Sequence, residues 1–358
     1  MASRTRFCRT GSMLARNRNS ESAYAAGILG WNAPKGGPGI RAYKNKSEDI
    51  YVAITVVGSV AFDSIETPAG RRDRCLGGAA TYFSLAASQF TKVRVIAVVG
   101  EDFGANEQSV FDARGIDTQG IERASGKSFF WEGSYLENLN EAKTHATELN
   151  VFGAFQPKIP AAYADSEFLF LANIDPVLQK RVREAMPQAK LVAGDTMNYW
   201  ITGHRDALTQ VLKGLDILLI NDTETRMLAG NPNLVKAARG VLDMGPRMLV
   251  VKHGEYGATA FFGKTKDGFG AKTFCAPALP LEEVVDPTGA GDSFAGGFFG
   301  YLASQKEFTP GVFRRAMFYG SVMGSFAVER FGTERLERLS REEIDERFGL
   351  FRELTHLD

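Results

Sequence analysis

The residues with the most chemical promise lie between Val284 and Leu302, in the run V-V-D-P-T-G-A-G-D-S-F-A-G-G-F-F-G-Y-L. Asp286 and Pro287 initiate a turn, and Gly289 and Gly291 tolerate backbone angles and close approaches that side chains forbid. From Asp292 onward, apolar residues recur at Phe294, Phe298, Phe299 and Leu302, the spacing of one helical face. Gly289, Ala290, Gly291 and Asp292 therefore fall at the first turn of a helix. A helix start offers N–H groups without partners and the positive end of a dipole, and glycines let an anion come close. Such a loop can cradle a phosphate, with the Gly289–Gly291 backbone stabilising a transferring phosphoryl group. A carboxylate beside an anion hole is unfavourable unless it accepts the proton of whatever attacks the phosphate, which makes Asp292 a candidate general base. The competing reading of Asp292 is an acid that merely favours a helix N-terminus.

The longer stretch D-P-T-G-A-G-D-S-F-A-G-G resembles the second signature of the PfkB/ribokinase family of sugar and nucleoside kinases, D-T-x-G-A-G-D-x-F, with Pro287 where that pattern often has Thr. Neither other common nucleotide motif fits. There is no G-x-x-x-x-G-K-S/T, and Phe294 occupies the place of the third glycine in G-x-G-x-x-G. The resemblance implies a ribokinase-like α/β fold: a doubly wound, mostly parallel sheet flanked by helices, with a small β-sheet lid. It also implies ATP and Mg2+ as cofactors, and a K+ ion between the segment around Asp286 and the loop after the following helix.

Other stretches fit the same expectation. Tyr51 to Val57 reads as a buried strand, which places Asp63 just beyond a strand end, where open α/β sheets bind ligands. By resemblance Asp63 hydrogen-bonds acceptor hydroxyls, although Ala61 stands where ribokinases carry Asn; alternatively it is a turn aspartate. L-G-G-A-A-T-Y-F-S resembles the family's first signature, and Gly77 and Gly78 are expected to bring bare backbone against the acceptor. The pattern's usual Asn falls on Tyr82, so that contact is lost or replaced. Asp175, in L-A-N-I-D-P, aligns roughly with an acidic sugar contact, and Asp195, in G-D-T-M-N-Y-W, matches only the first residue of D-P-N-x-R.

N-D-T-E matches the family's N-x-x-E motif at Asn221 and Glu224, in which the Glu orders magnesium through water; a capping Asn with Glu three residues on is the other reading. K-H-G-E-Y-G resembles the nucleotide-proximal T-x-G-x-x-G, which assigns nucleotide binding to Lys252, Gly254 and Gly257 together with Asn221. His253 has no ligand-spaced partner among His145, His204 and His356, so no metal is assigned to histidine.

The elements that must position these residues alternate. Apolar runs at Val93 to Val99, Phe168 to Ala172, Leu191 to Ala193, Ile217 to Ile220 and Met248 to Val251 read as strands separated by helical patterns, the signature of a parallel doubly wound sheet. A polar hairpin with Pro-Ala-Gly at its tip and the β-favouring, aromatic segment from Gly120 to Val151 interrupt that rhythm. They are assigned to the lid, whose strands span about 59–75 and 119–151. Thr309 and Pro310 open a helix that stops near Gly332, and Ser340 with Glu343 caps a last one. The kinase domain is placed at 50–350, with 351–358 a peripheral tail.

The chain has 358 residues, 44% hydrophobic and 23% charged, with 42 Lys+Arg against 42 Asp+Glu, so bulk charge gives no reason to expect nucleic acid. No apolar run reaches bilayer length, and three cysteines without C-x-x-C spacing suit a reducing compartment. Residues 1–49 form a basic extension without periodicity, expected to be disordered; a cytoplasmic protein is expected, or an organellar one if the extension is a transit peptide. The expected activity is ATP-dependent phosphorylation of a small sugar or sugar-like alcohol. A nucleoside kinase, with a base slot near Phe129, Phe130, Trp131 or Tyr135, and a sugar-binding regulator without catalysis are the alternatives. A homodimer through the lid sheet is a further expectation.

Overall fold

The computed structural model describes residues 53–136, 139–263 and 273–355. The expected disordered extension, 1–49, lies outside the described residues. In chain order the elements are β1 (Ala53–Val57), β2 (Ala61–Thr67), β3 (Gly70–Gly77), α1 (Ala79–Ala87), β4 (Lys92–Val99), α2 (Ala105–Ala113), β5 (Asp117–Arg123), β6 (Phe129–Ser134), β7 (Lys143–Glu148) and β8 (Phe168–Leu171). There follow α3 (Pro176–Ala185), β9 (Leu191–Gly194), α4 (Asn198–Gly203), α5 (Arg205–Leu212), β10 (Ile217–Asn221), α6 (Asp222–Ala229), α7 (Leu234–Leu242), β11 (Met248–Lys252), β12 (Ala258–Phe262) and β13 (Thr273–Ala276). The chain closes with α8 (Ala290–Ala303), α9 (Pro310–Ala327), α10 (Glu334–Arg338) and α11 (Arg341–Thr355).

Nine strands form one sheet in the order β13-β12-β11-β10-β9-β8-β1-β4-β5. Pairing is parallel from β11 to β5, and β12 and β13 add an antiparallel edge. The period-2 alternation of strand side chains divides the core in two. Val93, Val95, Ala97 and Val99 pack on one face with α1, α8 and α9, whereas Ile96 and Val98 pack on the other with α3, α5 and α7. Residues buried on both faces explain why the central strands read as unbroken apolar runs. The glycines of α8 serve packing: a Cβ at Gly296 would stand 2.3 Å from the Phe83 carbonyl of α1, and one at Gly297 2.5 Å from the Tyr319 carbonyl of α9. The helix that begins with the candidate site is thus wedged between two others. Among the described residues no helix is long and apolar enough to cross a membrane.

A second sheet, β3-β2-β6-β7, stands apart and has the form of the expected lid. Two boundaries are corrected. Residues 119–123 belong to β5, which pairs parallel with β4 at the edge of the large sheet, so they are not lid. The polar run D-T-Q-G-I-E-R hides that membership, because an edge strand has one unpaired side and needs little apolar surface. The tail expected from residue 351 is instead the end of α11, with Phe351 buried and its ring 5.8 Å from that of Phe318. Thr309 and Ser340 cap their helices as the sequence suggests.

Candidate active site

Gly289 is the N-cap of α8 and adopts φ +72°, a left-handed conformation that favours glycine. A Cβ there would also lie 2.3 Å from the ring of Tyr82, so the turn is seated directly on that side chain. The Ala290 N–H donates to the Pro287 carbonyl at 3.2 Å. Those of Gly289, Gly291 and Asp292 have no partner among the described residues, leaving three donors and the helix dipole for an anion. Of the Gly289, Ala290 and Gly291 backbone that the resemblance names, only the Ala290 N–H has a partner among the described residues. The cradle is held from below by Asp286, fully buried, which accepts the N–H of Thr288 and of Gly332, each at 2.8 Å. Burial pushes its carboxyl up, and those two N–H groups pull it back. Here Asp286 acts as a clamp between the cradle and the loop after α9.

The side where the sequence places the acceptor residues is built where β2 meets β3. Asp63 opposes Cys75 in the ladder, and its carboxylate lies over Gly77: a Cβ on that glycine would fall 1.9 Å from Asp63 Oδ2. Gly78, at φ +95°, has its missing Cβ directed at the Ser59 carbonyl, 2.5 Å away, and its N–H lowers the Asp63 carboxyl. The two glycines are therefore required first by the protein's own Asp63 and Ser59. Burial, then the charges of Asp286 and Asp292, raise the Asp63 carboxyl to about 7, against the Gly78 N–H. Tyr135, leaving β6, closes this side; its hydroxyl stands 3.4 Å from Thr288 Oγ1. Trp131 lies along the lid, over Gly133, with Nε1 donating to Thr144.

On the opposite side, Asn221 and Lys252 are register partners at the ends of β10 and β11. Asn221 and Glu224 form a reciprocal cap of α6, with Asn221 Oδ1 accepting the Glu224 N–H at 2.7 Å and Glu224 Oε2 accepting the Asn221 N–H at 2.8 Å. Only one Glu224 oxygen is used by the cap. The Lys252 ammonium reaches the cradle: Nζ is 2.9 Å from where a Cβ on Gly291 would be. Burial pushes Asp292 up to about 6, and the Lys252 ammonium holds it below where burial alone would leave it. Burial raises Glu224 and, far more, Asp195, and the same ammonium opposes both shifts. Among the described residues no three His, Cys, Asp or Glu groups converge to hold a metal directly. An all-oxygen set with one spare Glu224 oxygen suits a hard cation that keeps most of its water, so these residues fit magnesium held through water.

Gly254 and Gly257, at φ +56° and +100°, shape the turn after β11; Gly257 is pressed against the Ala276 carbonyl and Gly254 against Asn140 Oδ1 of the lid. Asp175, expected to contact the acceptor, has a capping role in the structure. It caps α3, accepting the Val177 N–H at 2.8 Å, and the charges acting on Asp63 are those of Asp286 and Asp292. Asn173, two residues earlier, accepts from Trp200 Nε1. Asp195 is more deeply involved than its broken motif implied. It is 6% exposed, its Oδ1 has no partner among the described residues, and the charges of Asp292 and Glu224 act on it. Its position at the end of β9, shared with Asn221 and Lys252 on their strands, was the available signal.

The sequence profile of the pfkB family of carbohydrate kinases matches residues 50–338. The cytidine kinase of Thermococcus kodakarensis is 28% identical over 251 residues, covering 68% of this chain and 86% of that protein. The ribokinase of Haemophilus influenzae is 25% identical over 310 residues, covering 78% and 94%. An E. coli protein assigned as ribokinase II, solved with ATP and Mg2+, superposes with a TM-score of 0.68 at 20% identity, covering 84% of this chain and 99% of that one. With a match over four-fifths of its length, the chain belongs to the pfkB family of carbohydrate kinases.

Proposed function

We propose that the chain transfers the γ-phosphoryl group of ATP to a hydroxyl of a small polyol, a sugar or the sugar of a nucleoside. One observation supports this above the others: the Asp292 carboxyl stands in the same helical turn as three N–H groups unpaired among the described residues, with the Lys252 ammonium against Gly291. Asp63, supported by Gly77 and Gly78, orients the acceptor. Asp292 takes the proton of the attacking hydroxyl, the oxygen forms its bond to the γ-phosphorus, and the bond to the β-phosphate oxygen breaks to release ADP. The Gly291 and Asp292 N–H groups and Lys252 stabilise charge on the phosphoryl oxygens in passage. Glu224, with one oxygen free of the cap, would hold magnesium through water, and that ion would supply positive charge against the nucleotide phosphates. A K+ ion near Asp286 belongs to the same reading.

Nucleosides are the second form of this reading. Trp131 is the register partner of Asp63 across β2 and β6, so a half-buried indole lies on the same lid face as the acceptor carboxylate and can stack on a base. The test is ATP consumption by purified protein with magnesium against pentoses, hexoses, keto-deoxy sugar acids and nucleosides, beside Asp292→Asn. Turnover on one class, lowered about 10²- to 10⁴-fold in the variant, is expected. Near wild-type turnover of a folded Asp292→Asn protein would refute the base. Saturable binding without product would favour the regulator.

A further inference from the structure

Tyr82 is 1% exposed, and its hydroxyl has no hydrogen-bond partner among the described residues. Buried phenol hydroxyls normally find partners, because leaving one unpaired forfeits its hydration with nothing in return. Its neighbour Phe83, also fully buried, shows that the same helix accepts an aromatic ring without the oxygen. The charges of Asp286 and of Asp63, the carboxylate proposed for the acceptor, act on this hydroxyl, as do Cys75 and Tyr135. Its ring meanwhile lies against Gly289, the N-cap of the phosphate cradle.

We propose that Tyr82 is an acceptor-binding residue whose hydroxyl donates a hydrogen bond to an oxygen of the bound polyol, while its ring seats the Gly289 turn. Around it, ionised Asp63 and Asp286 can only accept. Burial and these carboxylates keep the phenol protonated throughout the working range, so Tyr82 is a donor in an acidic pocket. Tyr82 would then couple two things one side chain can reach: where the acceptor oxygen sits and where the phosphate cradle begins. The proposal rests on the kinase reading but its test does not depend on it entirely.

Tyr82→Phe removes one oxygen. In the full chain, with magnesium ATP and with cytidine, adenosine and ribose as probes, the acceptor KM is expected to rise about five- to tenfold, the size of one neutral hydrogen bond. The KM for ATP and kcat should stay within about twofold of wild type, a split that a merely structural role would not give. Without ligand the melting temperature of Tyr82→Phe should equal or exceed that of wild type, since no internal bond is lost. An unchanged acceptor KM, or a ligand-free melting temperature several degrees lower, would overturn the proposal. If wild type phosphorylates none of the probes, the kinase reading loses those acceptors, and the ligand-free comparison alone decides whether the hydroxyl lacks a partner. Tyr82→Leu, which also removes the ring, should lower kcat as well and so separates the seat of Gly289 from the hydrogen bond.

Discussion

Asp292 and Asp63 are both carboxyls in low-dielectric surroundings, yet different neighbours set them at about 6 and about 7. Asp292 has an ammonium opposite it; Asp63 has carboxylates. Each must be ionised to do its proposed work, the first to take a proton and the second to accept from acceptor hydroxyls. A raised carboxyl is protonated below its shifted value, so activity is lost as pH falls through the window from 7 to 6 and below it. The acceptor kcat/KM should climb between pH 5 and 8 with its midpoint region at 6 to 7, where an unperturbed aspartate would have levelled off near 4. A profile flat across that range would remove both assignments. The types and spacing of Asp63, Asp292, Asn221 and Glu224 were readable because family signatures surround them. Tyr82 and Asp195 were noticed but given no role, since Tyr82 stands where the first signature has Asn and the motif that Asp195 opens breaks off after it, and an unpaired oxygen is a fact of three-dimensional surroundings rather than of residue type.

At the level of elements, the cradle depends on how α8 is wedged. Its start needs a left-handed residue at 289 and the absence of a Cβ over Tyr82; its body needs glycines against α1 and α9. Gly289→Ala meets both obstacles at the first position. The left-handed backbone costs an alanine about 1 kcal/mol, and crowding the Tyr82 ring adds about 1–3 kcal/mol. A stability loss on the order of 2–4 kcal/mol in thermal or denaturant unfolding is expected, with kcat reduced at least about tenfold because the N–H donors move. Unchanged kcat in Gly289→Ala would mean that the cradle does not position the phosphoryl group. Helix starts and apolar central strands were legible from turn residues and unbroken hydrophobicity. The identity of β5 was not: Gly120 is there because a Cβ would strike the Val95 carbonyl at 2.4 Å, and its N–H bonds to the buried Tyr163 hydroxyl. In sequence the same glycine looks like a break.

Across the whole molecule, side-chain contacts tie the lid to the body on both sides of the candidate site, among them Arg74 with Asp102 at 2.9 Å. Thr67 Oγ1 donates to the Val285 carbonyl at 2.7 Å, Arg72 pairs with Glu334 at 3.1 Å, and Tyr135 meets Thr288. The lid thereby touches the cradle segment on the acceptor side, while Asn140 reaches Gly254 on the nucleotide side. A four-stranded sheet joined this way should open at lower free energy than the large sheet, whose central strands are buried on both faces. Because its contacts span both halves of the site, either ligand alone orders only one of them. Amide hydrogen exchange should therefore be faster over 61–77 and 129–148 than over β1, β8 and β10. Non-hydrolysable ATP analogue and acceptor together should protect the lid more than the sum of their separate effects. That excess is the coupling expected if closure excludes water only when both substrates are present, which keeps ATP from idle hydrolysis. Strictly additive protection would mean that the two halves respond independently and that the lid does not link them.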